Sequence, residues 1–388
     1  MTPAARIAAA AELLDRIGAG APAEKVLTGW ARGARFAGSG DRAAVRDLVY
    51  EALRCWRSHA CLGGGETGRA RMIGALRAQG INPETLFTGV RHAPAPLSDE
   101  EKAAGARPEG MDALDLPDWL WPEFEVSLGG DAAGAAEALR HRAPIMLRAC
   151  LRRASRDEAI AALAQDDIHS EAHPIAKTAI IVTEGARRVA QSAAFREGLV
   201  ELQDGSGQAA MEGIDLSGAR SVLDYCAGGG GKALALAARS DAQVFAHDID
   251  PARMRDLPAR AARAGAAVTL LETSDLRANS PFSVVLCDAP CSGSGTWRRT
   301  PEAKWTLTPE RLAELTRMQS GILDDASELV APGGLLVYAT CSVLAAENEA
   351  RIDDFLARHP EWRCAFQRRY PISEAGDGFY VAHLARSS

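Results

Sequence analysis

The sequence predicts an α/β protein whose C-terminal half is a doubly wound, Rossmann-like parallel sheet. A helical region and a small α/β module precede it. Three observations predict this. Apolar runs at Ser221-Val222-Leu223, Val244-Phe245-Ala246, Val268 to Leu271, Val284-Val285-Leu286 and Leu335 to Tyr338 are mostly separated by helical patterns, the rhythm of parallel strands with crossover helices. Several of these runs end in Gly, Asp or Cys, at the strand ends where open α/β sheets hold ligands. The first part of the chain instead repeats apolar residues at helical spacing.

In chain order, Ile7, Ala10, Leu14 and Ile17 mark a first helix. Val45, Leu48, Val49, Ala52, Leu53 and Trp56 mark another between Asp41 and Trp56, starting near Gly38-Ser39-Gly40 and followed by the break Gly63-Gly64-Gly65. Residues 93–130 are rich in Pro, Gly and acids and read as a linker. There Trp119 and Trp121 either anchor the linker or stack bases. Ile145 to Leu151 and Ala179 to Val182 read as strands around a helix from Asp157 to Ala164. The last run, Phe379 to Ala382, is expected to close the edge of the large sheet. The expected regions are 1–130, helical with an acidic linker; 131–205, a small α/β module; and 206–388, the sheet domain.

The net charge of -7 argues against nucleic-acid binding only until its distribution is seen. Residues 1–92 hold 13 Lys+Arg against 8 Asp+Glu, residues 93–137 hold 2 against 11, and residues 138–156 hold six arginines and no acid. Two basic blocks flank an acidic one, as solvated faces or as an RNA path. The eight cysteines form no CxxC pairs and are too sparse for a disulfide scaffold. The expectation is reduced thiols, no metal, no membrane span, no signal peptide and a cytoplasmic monomer.

Chemistry concentrates at the strand ends. After the first strand, Asp224-Tyr225-Cys226-Ala227-Gly228-Gly229-Gly230-Gly231-Lys232 is a turn where glycines let a ligand approach the backbone. Gly228, Gly230 and Ala233 fit a permissive dinucleotide pattern, whereas a phosphate-binding P-loop fails, with Cys226 at its first glycine and Ala233 after the lysine. Asp248 at the end of the second strand suits ribose hydroxyls, Asp275 after the third suits an adenine amine, and Asp288 ends the fourth; Asp248 or Asp275 would otherwise cap helices. So many carboxylates favour S-adenosylmethionine over a pyrophosphate-bearing dinucleotide. Asp288-Ala289-Pro290-Cys291-Ser292-Gly293-Ser294-Gly295 and Ala339-Thr340-Cys341-Ser342 place two cysteines at neighbouring strand ends. There they are either inert buried thiols or nucleophiles activated by a cation, for which Lys232 is a candidate.

These segments, with Asp248-Ile249-Asp250, Arg298, Arg299, Pro301, Lys304 and Glu347-Asn348, resemble the RsmB/Nop/Sun family of RNA 5-methylcytosine methyltransferases. Phe195, Gly198, Gln203 and Asp204 resemble that family's entry motif, so the likeness covers roughly residues 190–388. Residues 38–42 and the helix after them resemble the NusB-like domain of the RsmB branch. The resemblance implies a class I methyltransferase domain, an RNA-binding helical domain and small-subunit (16S) rRNA as substrate, met either naked or in an assembling ribosomal particle. It implies Cys341 as the nucleophile on carbon-6 of cytosine, Cys291 as the release cysteine, Asp288 at the base edge and Lys232 beside base and cofactor. It further implies Cys226, Ala227, Gly228, Gly229, Gly230, Gly231, Lys232, Asp248, Asp275 and Asp288 around S-adenosylmethionine, and Arg298, Arg299 and Lys304 on RNA phosphates. The chain departs from the family turn Cys-Ala-Ala-Pro-Gly-Gly-Lys-Thr at Gly228, Gly229 and Ala233, and has Ser274 for the usual glycine before Asp275. Two other readings stay open: an RNA-binding assembly factor with a vestigial methyltransferase domain, and the same chemistry on another RNA.

Overall fold

The computed structural model describes residues 1–386 and divides into two compact units. One comprises residues 1–125, 130–142 and 297–306; the other comprises 126–129, 143–296 and the chain from 307 onward. The segment 297–306 was expected in the sheet domain and instead completes the helical unit.

In the helical unit, α1 (Pro3–Gly18) begins at Thr2, whose side chain accepts from the Ala5 N–H and so satisfies one orphan donor. It is followed by α2 (Ala23–Gly33), α3 (Ser39–Arg54), α4 (Trp56–Gly63) and α5 (Gly68–Ala78). The single helix expected to run to Trp56 breaks at Cys55, which adopts a non-helical φ of -112° and ψ of 41°. Ile7, Leu13, Leu14, Val26, Val45, Val49, Leu53, Met72 and Ile73 form one core. Helices α4 and α5 approach so closely that a Cβ on Gly74 would lie 1.9 Å from the His59 carbonyl oxygen; only glycine fits there. The end of α3 is held by side chains of segment 297–306. Lys304 Nζ donates to the Arg54 carbonyl at 2.9 Å and Trp305 Nε1 to that of Leu53 at 2.7 Å, while Arg54 Nε donates to the Arg298 carbonyl at 2.7 Å. Carbonyls that a helix C-terminus leaves without partners are thereby satisfied.

The second unit contains two sheets. The small one is antiparallel, in the order β2-β3-β1-β4, and consists of β1 (Ile145–Ala149), β2 (Ser170–Ala172), β3 (Ala179–Val182) and β4 (Val200–Leu202). β2 and β4 are too short to show an apolar alternation. The large sheet contains β5 (Ser221–Asp224), β6 (Gln243–Ala246), β7 (Val268–Leu270), β8 (Phe282–Asp288), β9 (Val330–Thr340), β10 (Trp362–Tyr370) and β11 (Phe379–Arg386). Its order is β10-β11-β9-β8-β5-β6-β7, with β5 to β9 parallel and β10 and β11 antiparallel. β11 therefore lies inside the sheet, and the edge expected of it belongs to β10. Most of β10 faces solvent, so its polar run Arg363 to Arg369 hid the strand. Apolar side chains from both faces of the sheet form two cores, around Leu234, Val244 and Leu286 and around Leu223, Phe282 and Tyr338. The strand order reverses between β5 and β8, which pair in parallel, and the carboxyl ends at such a switch point are where this class of sheet binds ligands.

The basic block 138–156 is not an open patch. Arg140 bonds Asp115 and Glu137, Arg142 bonds Asp47, and Arg148 is buried and donates to Gln203 and to the Gly231 carbonyl. Arg152 donates to the carbonyls of Ala237 and Ser240, Arg153 to those of Ala262 and Arg263, and Arg156 to those of His173 and Ala176. Arg152 and Arg153 thus sit at the C-terminal ends of the helices Gly231–Ala237 and Leu257–Ala264, where a cation suits the helix dipole. Among the described residues no helix is long and apolar enough to cross a membrane.

Candidate active site

The carboxyl ends of β5, β8 and β9 bring four of the expected residues together. β8 pairs with β9 so that Asp288 faces Ala339, which sets the Cys291 loop beside the Cys341 loop. The two sulfurs are 3.4 Å apart and both thiols are free and partly buried. Lys232, on the first turn of the helix after the glycine turn, donates to Asp288 Oδ2 at 2.6 Å. Burial opposes its charge, but Asp288 outweighs this and raises its pKa.

The two thiols are not equivalent. Cys341 is shifted below the ordinary thiol value, first by a hydrogen bond from Cys291; burial and Asp288 work against this, and the Lys232 ammonium favours the thiolate. Cys291 is pushed well up, first by its bond to Cys341 and then by burial. The cation stands beside Cys341, so the shared proton belongs on Cys291 and the negative charge on Cys341.

The glycine turn closes on itself. Ala227 N–H donates to the His247 carbonyl and Gly230 N–H to that of Ala227. Gly230 has φ +80°, and a Cβ there would lie 2.2 Å from Leu257 Cδ1. The departure at Gly228 and Gly229 has a physical counterpart: Arg253 lies over Gly228, whose added Cβ would come within 3.2 Å of the guanidinium, and Arg260 donates to the Gly229 carbonyl. Asp248 is buried, accepting from Gly228 N–H at 2.8 Å, Asp250 N–H at 3.0 Å and Arg253 at 3.0 Å, so it also ties the turn to β6. Burial raises the Cys226 pKa. Asp275 ends an exposed turn after β7.

The basic residues expected on RNA phosphates belong to the helical unit. Lys304 is 0% exposed and holds the end of α3, and Arg298 is 4% exposed. Both are built into that unit, which corrects the expectation of an open phosphate path; Arg299 is partly exposed.

Three residues gain a place that sequence reading did not give them. Both carboxylate oxygens of Asp224 are buried without a hydrogen-bond partner among the described residues. Desolvation first, then Asp288, raises its pKa to about 7. Ile249, between two acids at the end of β6, is 82% exposed, an apolar surface beside the glycine turn. Glu347 is fully buried and bonded to both cysteine loops. All three stand within sequence motifs, but an orphan buried acid, a bare isoleucine and a carboxylate shared by two loops become visible only with the tertiary structure.

Asp224 makes stability depend on pH. Its folded pKa of about 7 lies above the ordinary aspartate value of 3.8, which stands for the unfolded chain. The native state therefore binds more protons across that window, and stability falls as pH rises through it. Denaturant unfolding of the cofactor-free protein should lose roughly 3–4 kcal/mol between pH 4 and 8 from this group, and Asp224→Asn should remove that slope. Equal pH dependence in both proteins would contradict the assignment.

A Rossmann-like sheet with a glycine turn at β5, acids at successive strand ends and a reversed last hairpin is the fold of class I methyltransferases. Comparison with known proteins narrows this. The family model described as 16S rRNA methyltransferase RsmB/F matches residues 214–385, and the RsmF/B-like ferredoxin-like domain matches residues 116–189. Ribosomal RNA small subunit methyltransferase B of Yersinia pestis bv. Antiqua (strain Angola) is 33% identical over 286 residues, an alignment spanning 70% of this chain and 66% of the relative. The solved structure of PH0851 matches with a TM-score of 0.77 at 22% identity, over 100% of this chain and 99% of that one. A methyltransferase homologue from Pyrococcus horikoshii matches with a TM-score of 0.62 at 25% identity, over 71% of this chain and 97% of that one. The chain belongs to the RsmB/RsmF methyltransferase family.

Proposed function

We propose that this protein methylates carbon-5 of a cytosine in small-subunit rRNA, using S-adenosylmethionine and a transient covalent bond from Cys341. The observation that carries this reading is the pair of thiols 3.4 Å apart beside the Lys232–Asp288 ion pair. Two cysteines of opposite pKa shift are what a reaction needs when one sulfur must attack and the other must handle a proton. The curated relative from Yersinia carries the rRNA methyltransferase name, which supports the acceptor.

The residues present suit the cofactor. Asp224 offers a buried, unpartnered carboxylate and Ile249 an apolar face. Asp248 and Asp275 stand at the next strand ends, where ribose hydroxyls and an adenine amine would be held. When bound, S-adenosylmethionine supplies an electrophilic methyl group. Its positive sulfonium suits a site with so many acids, and binding favours the charged form of Asp224.

The chain's own residues then act in order. The Cys341 thiolate adds to carbon-6 of the cytosine and makes carbon-5 nucleophilic. Lys232, oriented by Asp288, places a proton donor at the base edge, where negative charge develops on the ring. Once Cys341 is bonded to carbon its charge is gone, and with it the main influence that held Cys291 protonated. The Cys291 pKa then falls, its own proton passes to solvent water, and the thiolate left behind takes the one leaving carbon-5, so that one proton is released for each methyl group transferred. The electron pair released from that C–H bond re-forms the ring double bond and expels the Cys341 thiolate. The base must be outside a helical stack, in a loop or flipped, at a cost of about a few kcal/mol.

The direct test is mass-spectrometric mapping of 5-methylcytosine in 16S rRNA from cells with and without the protein. A site lost with the protein and restored with it supports the proposal. An unchanged rRNA map, or no calorimetric binding of S-adenosylmethionine, would point to an RNA-binding role without catalysis.

A further inference from the structure

Glu347 has no role in the reaction just described, yet it is fully buried beneath it. Its Oε1 accepts from the Ser292 N–H at 2.7 Å and from Gln319 Nε2 at 3.1 Å, and its Oε2 accepts from the hydroxyls of Ser292 and Ser342, both at 2.5 Å. Ser292 follows Cys291 and Ser342 follows Cys341. One carboxylate thus ties together the residues next to both cysteines. Gln319, also buried, donates to the Pro290 carbonyl at 2.9 Å and holds the start of the Cys291 loop to the same anchor. The Ser294 and Ser342 hydroxyls are 2.9 Å apart, and Gly295 N–H donates to the Cys341 carbonyl at 3.0 Å, so the two loops are laced along their length. Glu347 is itself fixed, since the Tyr338 hydroxyl donates to its carbonyl at 2.7 Å.

A buried carboxylate is costly unless its oxygens are satisfied, and these four bonds come from neutral donors. Its charge does not help form thiolates, because it pushes both cysteines toward the protonated form. What it supplies is geometry. We propose that Glu347 is a positioning residue that sets the sulfur-to-sulfur distance and so controls the release step in which Cys291 frees Cys341. This rests on the two-cysteine reading above.

The test compares Glu347→Ala, Glu347→Gln and Cys341→Ala, using protein-free small-subunit rRNA and methyl-labelled S-adenosylmethionine. In Glu347→Gln the amide oxygen can take the Ser292 N–H and Gln319, and its NH2 can donate to the serine hydroxyls, which turn to accept. Position is kept and charge removed. Glu347→Ala should lower kcat about 100-fold with cofactor affinity unchanged, as expected for an ångström-scale misplacement, and should leave a covalent protein–RNA band on a denaturing gel. Glu347→Gln should recover most of kcat and remove the band. If Glu347→Ala does not fold, Ser342→Ala, which deletes one tether, must show the same split between kcat and cofactor affinity. Wild-type kcat in the alanine variants, a loss confined to KM, or a Glu347→Gln as impaired as Glu347→Ala would overturn the role. An active Cys341→Ala would remove the reading beneath it, whereas an inactive Cys341→Ala beside a fully active Glu347→Ala would remove only Glu347.

Discussion

Cys341→Ala is expected to reduce methyl transfer by a factor on the order of 10⁴ or more, the scale of losing a nucleophile whose partners cannot act without it. The variant should fold and bind S-adenosylmethionine normally, because the candidate cofactor groups Asp248 and the turn from Cys226 to Gly231 do not depend on its sulfur for their hydrogen bonds. It should form no covalent complex with RNA. Cys341→Ser should be equally inactive, since neither Lys232 nor Cys291 can bring a serine hydroxyl near ionisation at neutral pH. Initial rates with labelled cofactor, beside calorimetric titration of the cofactor alone, separate the two steps. A Cys341→Ala protein that methylates at the normal rate would end the proposed division of roles.

Cys291→Ala should fail later in the cycle. Attack and methyl transfer remain possible, but the carbon-5 proton has no acceptor, so the adduct persists and multiple turnover drops by about 100-fold or more while the first turnover survives. A denaturing gel with labelled RNA shows the trapped species. A second effect follows from the pairing of the thiols. The Cys291 hydrogen bond is the leading cause of the low Cys341 pKa; without it that pKa rises, less thiolate is present at neutral pH, and the pH profile of the first turnover moves to higher pH. Ordinary release by Cys291→Ala, with no trapped RNA, would assign the proton to another group.

Much of the site was legible because its residues end buried apolar strands. Val284 to Cys287 and Leu335 to Tyr338 read as buried central strands, which places Asp288, Cys291 and Cys341 on one edge of the sheet. The partnership of Lys232 with Asp288, 56 residues apart, and the 3.4 Å contact of the thiols depend on how strands pair, which no local pattern encodes. Charged residues were the least legible. Arg148, Arg298 and Lys304 read as exposed cations, and each is buried because a carbonyl or side-chain oxygen elsewhere in the chain accepts its hydrogen bonds, or because it is packed into the helical unit. The arginines at 152 and 153 likewise read as an RNA surface until the helix ends they cap are in place. β10 escaped notice because one face of an edge strand carries the polar residues of an exposed loop.

The detour of residues 297–306 into the helical unit has a consequence for the chain as a heritable object. That unit is assembled from three separate stretches, one of them inserted between the two cysteines. No single cut yields two intact halves. A fragment beginning near residue 206 carries Trp297, Lys304 and Trp305 without the helix end they complete, and a fragment ending near residue 130 leaves that helix end without its plug. Recombination or gene fission at a linear boundary would therefore leave both halves with unmatched surfaces, which changes in segment 297–306 would have to repair.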